Sequence, residues 1–457
     1  MSKIVSKFGG SSMKDAQAMK KAAAIVADRG SSIVVVSATY GTTDQLVELI
    51  KVAETGNQSK SDLIVQKIKD RHFSLLKEAG LETTHLIELK KLLNALETLS
   101  QGINLLKECS PMAKDEVLSL GERLSSLLFS GIVANELTKK NISLLDAREV
   151  IATDQTHQKG KPQINLIRKY AQEKIKLGEN DITITQGFIG KGPQGRTTTL
   201  GRGGSDYSAA LFAEAIQADT LEIWTDVAGI ASTDPRICDN VVAISEISYD
   251  EASEMAQYGA KILHPTTLVP AMREDIPVFV GSTYHKEAKG TWIRKEVNER
   301  PLIRAITQRK DQSLLTIRTP KMLNAIGFMQ AIFSAFTRHN VSIDCVTTSE
   351  ISVAISVDAE LANNKNLMEE LTTLGEVQLE QGYSLISLIG NNILTTSGIG
   401  GRVFKSLEGI NVRMLCIGAS EYNMNVLVKD EDAMASVQNL HQEFIGLDHE
   451  NSVAWKR

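Results

Sequence analysis

Cysteine is scarce and scattered in this chain. Cys109, Cys238, Cys345 and Cys416 are four among 457 residues, with no Cys-x-x-Cys pair. That excludes a disulfide framework and a thiolate zinc site, and it reads as a reduced, cytoplasmic setting. Blocks of like charge are also missing: 50 Lys and Arg face 55 Asp and Glu, a formal net charge of −5. An electrostatic nucleic-acid footprint is therefore not expected. No apolar run approaches the roughly 18 residues of a membrane helix. The opening MSKIVSKFGG lacks the long apolar core of a signal peptide. Neither nucleic acid nor membrane is expected as a partner. What is present is a 42% hydrophobic content, ordinary for a globular protein, in a length expected to hold about three domains.

The most informative stretch is ITITQGFIGKGPQGRTTTLGRGGSDY, residues 182–207. Ile182–Phe188 is β-branched and apolar and predicts a buried strand. Gly187, Gly190, Gly192 and Gly195 then break it into a loop. An Ala-rich helix is expected from Tyr207 to Ala218, with Ser205 or Asp206 at its N-cap. A glycine-rich turn opening a helix presents backbone N–H groups and the positive end of the helix dipole, and so favours an anion. Arg202 adds a fork that fits a carboxylate or phosphate. A carboxylate at Asp206 makes sense there if it holds a cation or orients a Lys during phosphoryl transfer.

A second strand–glycine turn–helix opens the chain: Lys3–Phe8, then Gly9-Gly10-Ser11-Ser12, then a helix from Ala16 to Asp28, with Lys7 beside the turn. Neither a Walker A loop nor the dinucleotide fingerprint is present, and alone this turn would serve equally as a structural one. Ile33–Ser37 reads as a strand buried on both faces. Residues 45–140 are almost strandless, with Leu and Ile at helical spacing, and within them Glu122 and Arg123 break an apolar pattern. A solvent-exposed ion pair explains those two as well as a functional site does. Thr220–Val227 predicts a strand whose carboxyl end carries Thr225 and Asp226; Arg236 follows in a loop. Ligands of open α/β sheets bind beyond such ends. Lys261 can reach a phosphate or be an ordinary surface lysine, and His264 is expected to be structural. Strands alternating with helices over residues 1–290 argue for a doubly wound, mostly parallel α/β domain.

Beyond a charged linker near Glu296–Pro301 the chain repeats itself. Asn340-Val341…Cys345…Ser349-Glu350 returns as Asn411-Val412…Cys416…Ser420-Glu421, an ungapped offset of 71 residues. Each copy reads strand, glycine-bearing loop, amphipathic helix, strand, turn, strand, a small α+β module that pairs its sheet with its twin. An amino-acid ligand wants a carboxylate for its ammonium and backbone amides for its carboxylate. The first copy offers Asp344 after Ser342-Ile343, and Gly327-Phe328-Met329 opening a helix. The second has Leu415 opposite Asp344, so only the first is expected to bind an effector.

KFGGSS, TTTLGRGGSDY, WTDV, TDPR and AKILHP, in that order, resemble aspartate kinase of the amino-acid kinase family, and the doubled tail resembles its paired ACT modules. The likeness spans essentially the whole chain and is closest to the monofunctional, lysine-inhibited class. It implies a kinase domain at 1–295 with a helical insert at about 45–140, and ACT-type repeats at 305–380 and 381–457. It implies ATP with Mg²⁺, the metal carried on the phosphates and not directly by the protein. The implied partners are L-aspartate, ATP and L-lysine, with a homodimer through the ACT modules or a tetramer. Carried over, Lys7 faces the transferring phosphate beside Phe8, Gly9, Gly10 and Ser11, and Asp206 orients it. Arg202 clamps a carboxylate of aspartate, Glu122 pairs with its ammonium, and Thr43 lines that pocket. Thr225, Asp226, Arg236 and Lys261 hold ATP. The lysine site comprises Met322, Gly327, Phe328, Met329, Ser342, Ile343, Asp344, Ser349 and Glu350. Two departures stand out: Ser11 replaces the usual threonine, and Ala231 replaces a frequent tyrosine near the nucleotide. The alternatives are a kinase of another amino acid, or an inactive kinase fold with a sensing tail.

Overall fold

The unbroken IVVV of Ile33–Val36 forms a strand with all four side chains buried, as a run without polar alternation requires. It lies inside an eight-stranded sheet ordered Glu246–Ser248, Thr291–Arg294, Val278–Ser282, Thr220–Thr225, Ile4–Phe8, Ile33–Val36, Asp181–Gln186 and Asn141–Leu145. Every neighbouring pair is parallel except Val278–Ser282 with Thr291–Arg294. The computed structural model describes residues 2–260, 265–323, 326–360 and 364–446. His264 and Lys261 lie outside the described residues. The chain divides into two compact units, and the sheet belongs to the one built from Met1–Ile230, Ile244–Tyr249 and Leu263–Val297.

Helices Thr42–Glu54, Gln58–Glu78, Thr83–Leu106 and Pro111–Glu136 fill the stretch without strands. Their apolar faces join Phe8, Val34, Val36 and Trp224 of the sheet in one core with Leu120, Leu124, Leu128 and Phe129. The sequence pattern held no membrane-length run, yet Pro111–Glu136 is long and apolar enough for one by length and composition. Its side chains are buried against the neighbouring helices, so the apolarity serves the core.

The Ala-rich helix starts earlier than its residues predict. It runs Gly204–Ile216, and Gly203, at φ 70°, is the N-cap, without a side-chain cap bond. Glycine takes the left-handed backbone there at no steric cost, which leaves Ser205 and Asp206 inside the first turn. The expected strand Ile182–Phe188 is Asp181–Gln186; Gly187 ends it, and Ile189–Lys191 pairs with Thr197–Thr199 as a hairpin where only a loop was expected.

The other unit comprises Ala231–Ala243, Asp250–Ile262 and Asn298–Arg457. The first two segments continue the kinase-like sequence, yet they are held here: Ile306 N–H donates to Ser232 O at 2.7 Å, and buried Glu251 accepts from Arg304 and Asn391, both at 2.7 Å. The two repeats build one antiparallel sheet ordered Cys345–Thr348, Ser352–Asp358, Ala305–Arg318, Glu376–Ile389, Asn423–Lys429, Met414–Cys416. The long strands Ala305–Arg318 and Glu376–Ile389 are related by the 71-residue offset and pair along their whole length, broken by bulges between Arg309 and Leu314. Each repeat's helix, Phe328–Arg338 or Ile399–Ser406, starts from a left-handed glycine, Gly327 or Gly398.

Close backbone approach at Gly187 joins the main sheet to the helix of Asp206. A Cβ there would lie 2.6 Å from Ser205 Cβ and 2.7 Å from Ser205 Cα. Gly187→Ala is expected to cost about 1–3 kcal/mol of stability and to lower turnover together with it, because the displaced turn carries Asp206. Urea unfolding and a steady-state assay on the same preparation check this; parental values in both would refute the tight approach.

Candidate active site

Parallel strands place their carboxyl ends on one sheet edge, and at that edge the ladder continues past the strands. Ser37 N–H donates to Phe8 O at 3.1 Å, Gly9 N–H to Trp224 O at 3.2 Å, Gly187 N–H to Val36 O at 2.9 Å and Thr283 N–H to Thr225 O at 2.8 Å. Both glycine turns and Thr225-Asp226 are thereby aligned along one rim.

Lys7 and Asp206 meet there. The Lys7 ammonium lies 2.5 Å from Asp206 Oδ1, with side chains 10% and 15% exposed. That oxygen is sealed from solvent, so the ammonium is its close polar neighbour. Asp206, in the first helical turn, also faces the positive end of the dipole. The turn after Lys7 is a short 3₁₀ helix, Gly10–Met13. It is pinned by Ser12 Oγ to Thr283 Oγ1 at 2.7 Å and by Tyr284 Oη donating to Ser11 O at 2.6 Å. Thr283 and Tyr284 were not singled out from the sequence, although they follow a strand's carboxyl end, the signal that could have found them. Phe8 is fully buried between Phe129 and Trp224, so only its backbone faces the rim.

Of the two readings open for Glu122 and Arg123, the structure removes the solvent-exposed ion pair. Glu122 is 4% exposed in the helix Pro111–Glu136, while Arg123 pairs instead with Glu116 at 3.5 Å. The Ala38 amide donates to Glu122 Oε1 at 3.3 Å, and Oε2 is buried with no hydrogen-bond partner among the described residues. Burial pushes the Glu122 carboxyl up to about 8, opposed by the bond from Ala38. The adjoining loop is fixed by Thr39 Oγ1 with Thr42 Oγ1 at 2.6 Å and with His72 Nε2 at 3.3 Å. His72 is itself buried, and desolvation lowers it to about 4, so it stays neutral. Thr42 is buried and Thr43 exposed at the start of that helix. Arg202 is exposed and has no hydrogen bond to any described residue.

The remaining expected residues are placed unevenly. Thr225 Oγ1 donates to Asp226 Oδ1 at 3.0 Å at the rim. Arg236 belongs to the other unit, exposed and bound to Asp234 at 2.6 Å. Lys261 is outside the described residues. In the first repeat Met322, Phe328, Met329 and Ile343 pack on one apolar cluster, next to the helix start at Gly327. The Asp344 side chain is 2% exposed and accepts from Arg309 at 2.7 Å. Ser342 and Glu350 are exposed, and Ser349 bonds within its own turn to Ser352 at 2.7 Å.

The comparisons with known proteins agree on the kind of chain this is. The amino acid kinase family model matches residues 2–282, and an ACT domain model matches 386–444. The chain is 41% identical over 450 residues to lysine-sensitive aspartokinase 3 of Escherichia coli (strain K12), covering 96% of this chain and 98% of that one. It superposes on crystal structures of E. coli aspartokinase III, with a TM-score of 0.87 for the R-state complex with aspartate and ADP and 0.81 for the T-state complex with lysine and aspartate. Each covers at least 96% of this chain and 99% of the other, at 41% identity. With both glycine turns and a nearly sealed Lys–Asp pair on one sheet edge, and a match along nearly the full chain, one conclusion follows: the chain belongs to the amino acid kinase family and, within it, to the aspartokinases.

Proposed function

We propose that this aspartokinase transfers the γ-phosphoryl group of ATP to the side-chain carboxylate of L-aspartate, the first step of the aspartate-derived amino-acid pathway, under feedback inhibition by L-lysine. The observation that carries the reading is the pairing of an anion-accepting rim, built on Lys7 and Asp206, with a buried Glu122 oxygen that has no partner. An aspartate oxygen attacks the γ-phosphorus as the bond to the β-phosphate oxygen breaks, giving 4-phospho-L-aspartate and ADP. The acceptor is already an anion at neutral pH, so no general base is required. The obstacle is repulsion between two anions, which Lys7 and the amides of Gly10 and Ser11 offset. Asp206 holds the Lys7 ammonium in place. Glu122 takes the substrate ammonium, Arg202 a substrate carboxylate, and Thr43 lines the pocket; Thr225 and Asp226 serve ATP. Among the described residues no group of three His, Cys, Asp or Glu side chains is placed for a metal. Mg²⁺ would be held by phosphate oxygens, where it neutralises charge on the transferring group. An ADP-release assay with aspartate, glutamate and acetylglutamate tests the assignment; activity on either rival, or on none, rejects it.

The effector reading rests on Asp344, Gly327–Met329, Met322, Ser342, Ile343, Ser349 and Glu350 of the first repeat. Phe333 and Phe404 occupy equivalent positions on the two repeat helices and are both partly exposed. They support a homodimer through these modules, or a tetramer, which light scattering distinguishes. A cytoplasmic setting accords with the four free thiols.

Lys7→Ala and Asp206→Ala are expected to lower kcat by about 10² or more with little loss of folded protein, checked by turnover and thermal melting. A rate within a few-fold of the parent removes the residue from its role.

Glu122 makes aspartate binding depend on pH. Its folded-state acid form persists up to about 8, whereas only the carboxylate pairs with an ammonium. Binding therefore expels a proton, and affinity rises with pH by up to about tenfold per unit until that value is passed. Glu122→Gln should bind more weakly, by roughly 2–5 kcal/mol, and lose the slope. Calorimetry in buffers of different protonation heat reads the proton directly, and a parental slope in Glu122→Gln rejects the pairing.

Asp344→Ala should relieve lysine inhibition while leaving lysine-free activity near the parent's, and Leu415→Ala should act on stability or assembly instead. Undiminished lysine binding by Asp344→Ala, measured calorimetrically, would sink the assignment.

A further inference from the structure

We propose that Arg309 is a built-in competitor of the effector: its guanidinium holds the seat on Asp344 that an amino-acid ammonium must take. The proposal rests on the effector reading of the first repeat and adds what sets its sensitivity.

A carboxylate as buried as Asp344 needs a cation, and the protein already supplies one. Arg309 Nη1 donates to Asp344 Oδ1 at 2.7 Å, and Nη2 donates to Asp358 Oδ1 and Oδ2 at 2.8 and 2.9 Å. Gln312 Nε2 donates to the same Asp358 Oδ1 at 2.8 Å. Arg309 and Gln312 flank the break in register between the long strands, where Asp311 takes a left-handed φ of 58°. Burial raises the Asp344 carboxyl and Arg309 opposes that rise. The resident guanidinium and an arriving ammonium therefore offer Asp344 the same interaction, and one must leave for the other to bind. Apparent affinity is the intrinsic affinity reduced by the fraction of Asp344 that is already taken.

The second repeat supplies an independent observation. Shifted by 71, Arg309 becomes Glu380, Asp344 becomes Leu415 and Asp358 becomes Lys429, so each charge is reversed or erased. Glu380 pairs with Arg413 at 2.5 Å, and Lys429 sits 3.9 Å from the centre of the Tyr383 ring. A triad needed only to brace this kind of sheet would have a counterpart in both copies. The Arg–Asp–Asp arrangement is confined to the copy that carries the effector carboxylate.

The test is calorimetric titration of the full-length enzyme with L-lysine, alongside inhibition curves and thermal melting. Arg309→Gln, a shorter side chain that keeps a polar amide but neither the charge nor the fork, should bind lysine about tenfold more tightly and be inhibited at correspondingly lower concentration. Arg309→Lys, a point charge without the two-pronged grip, should shift the same way by a smaller factor. Unchanged affinity in both variants overturns the proposal. So does weaker binding in both, which would assign Arg309 to the effector's carboxylate or to the support of the sheet. If the parent binds no lysine, the effector reading fails and takes this one with it; if the parent binds and the variants do not tighten, only the competitor role falls.

Discussion

The ion pair between Lys7 and Asp206 is the constraint on which the catalytic unit depends. Its two halves come from a central strand and from the first turn of a helix some two hundred residues later in the chain, yet they lie 2.5 Å apart in a pocket nearly closed to solvent. Bringing them together requires strands Ile4–Phe8, Ile33–Val36 and Asp181–Gln186 side by side and parallel, so that their carboxyl ends share a rim. It also requires backbone to approach backbone where the last strand meets the helix. Gly187 and Gly204 satisfy that, since a Cβ on either would fall within 2.7 Å of Ser205 or Phe188. Glycine in these turns supplies amides for an anion and also the clearance that sets the distance between two charges.

Around that pair the site is electrostatically incomplete by construction. Glu122 is buried with one oxygen unpartnered, and Arg202 is exposed with no hydrogen bond to a described residue. In the proposed reading, a substrate carrying an ammonium and carboxylates completes both at once, whereas one lacking the ammonium leaves a desolvated carboxyl without its partner. Discrimination by an unpaired buried group is stronger than discrimination by the fit of an apolar pocket. The burial that would make Glu122 selective in that reading also raises its carboxyl to about 8. Specificity and proton release thus come from one physical cause.

The legible parts of the sequence were those whose local chemistry admits one solution. TTTLGRGG announces a tight turn because left-handed backbone excludes most other residues, and Gly201 and Gly203 do adopt positive φ. The apolar IVVV announced a strand buried on both faces. Glu122 was ambiguous because GluArg in a leucine-rich helix looks the same whether that helix is covered on one side or all round; packing against neighbouring helices and the sheet decided it. The segments 231–243 and 250–262 continue the α/β pattern, and only tertiary bonds such as Arg304 to Glu251 reveal that they group with the tail repeats. The helix cap moved from Ser205 or Asp206 to Gly203 because backbone conformation outweighed side-chain capping propensity.

The tail shows how a duplicated scaffold diverges without losing its frame. The paired long strands and the glycine-started helices retain the 71-residue offset, since main-chain hydrogen bonds tolerate almost any side chain on an exposed face. Charge obeys no such constraint. The positions of Arg309, Asp344 and Asp358 hold Glu380, Leu415 and Lys429 in the other copy, and each set finds its own local partners. Leu415 joins the apolar cluster of the second repeat instead of offering an anion. A ligand that recognises charge therefore meets unlike side chains on two frames of the same strand and helix order. Asymmetry of this kind needs only a few substitutions, because the backbone is held by interactions that those substitutions do not touch.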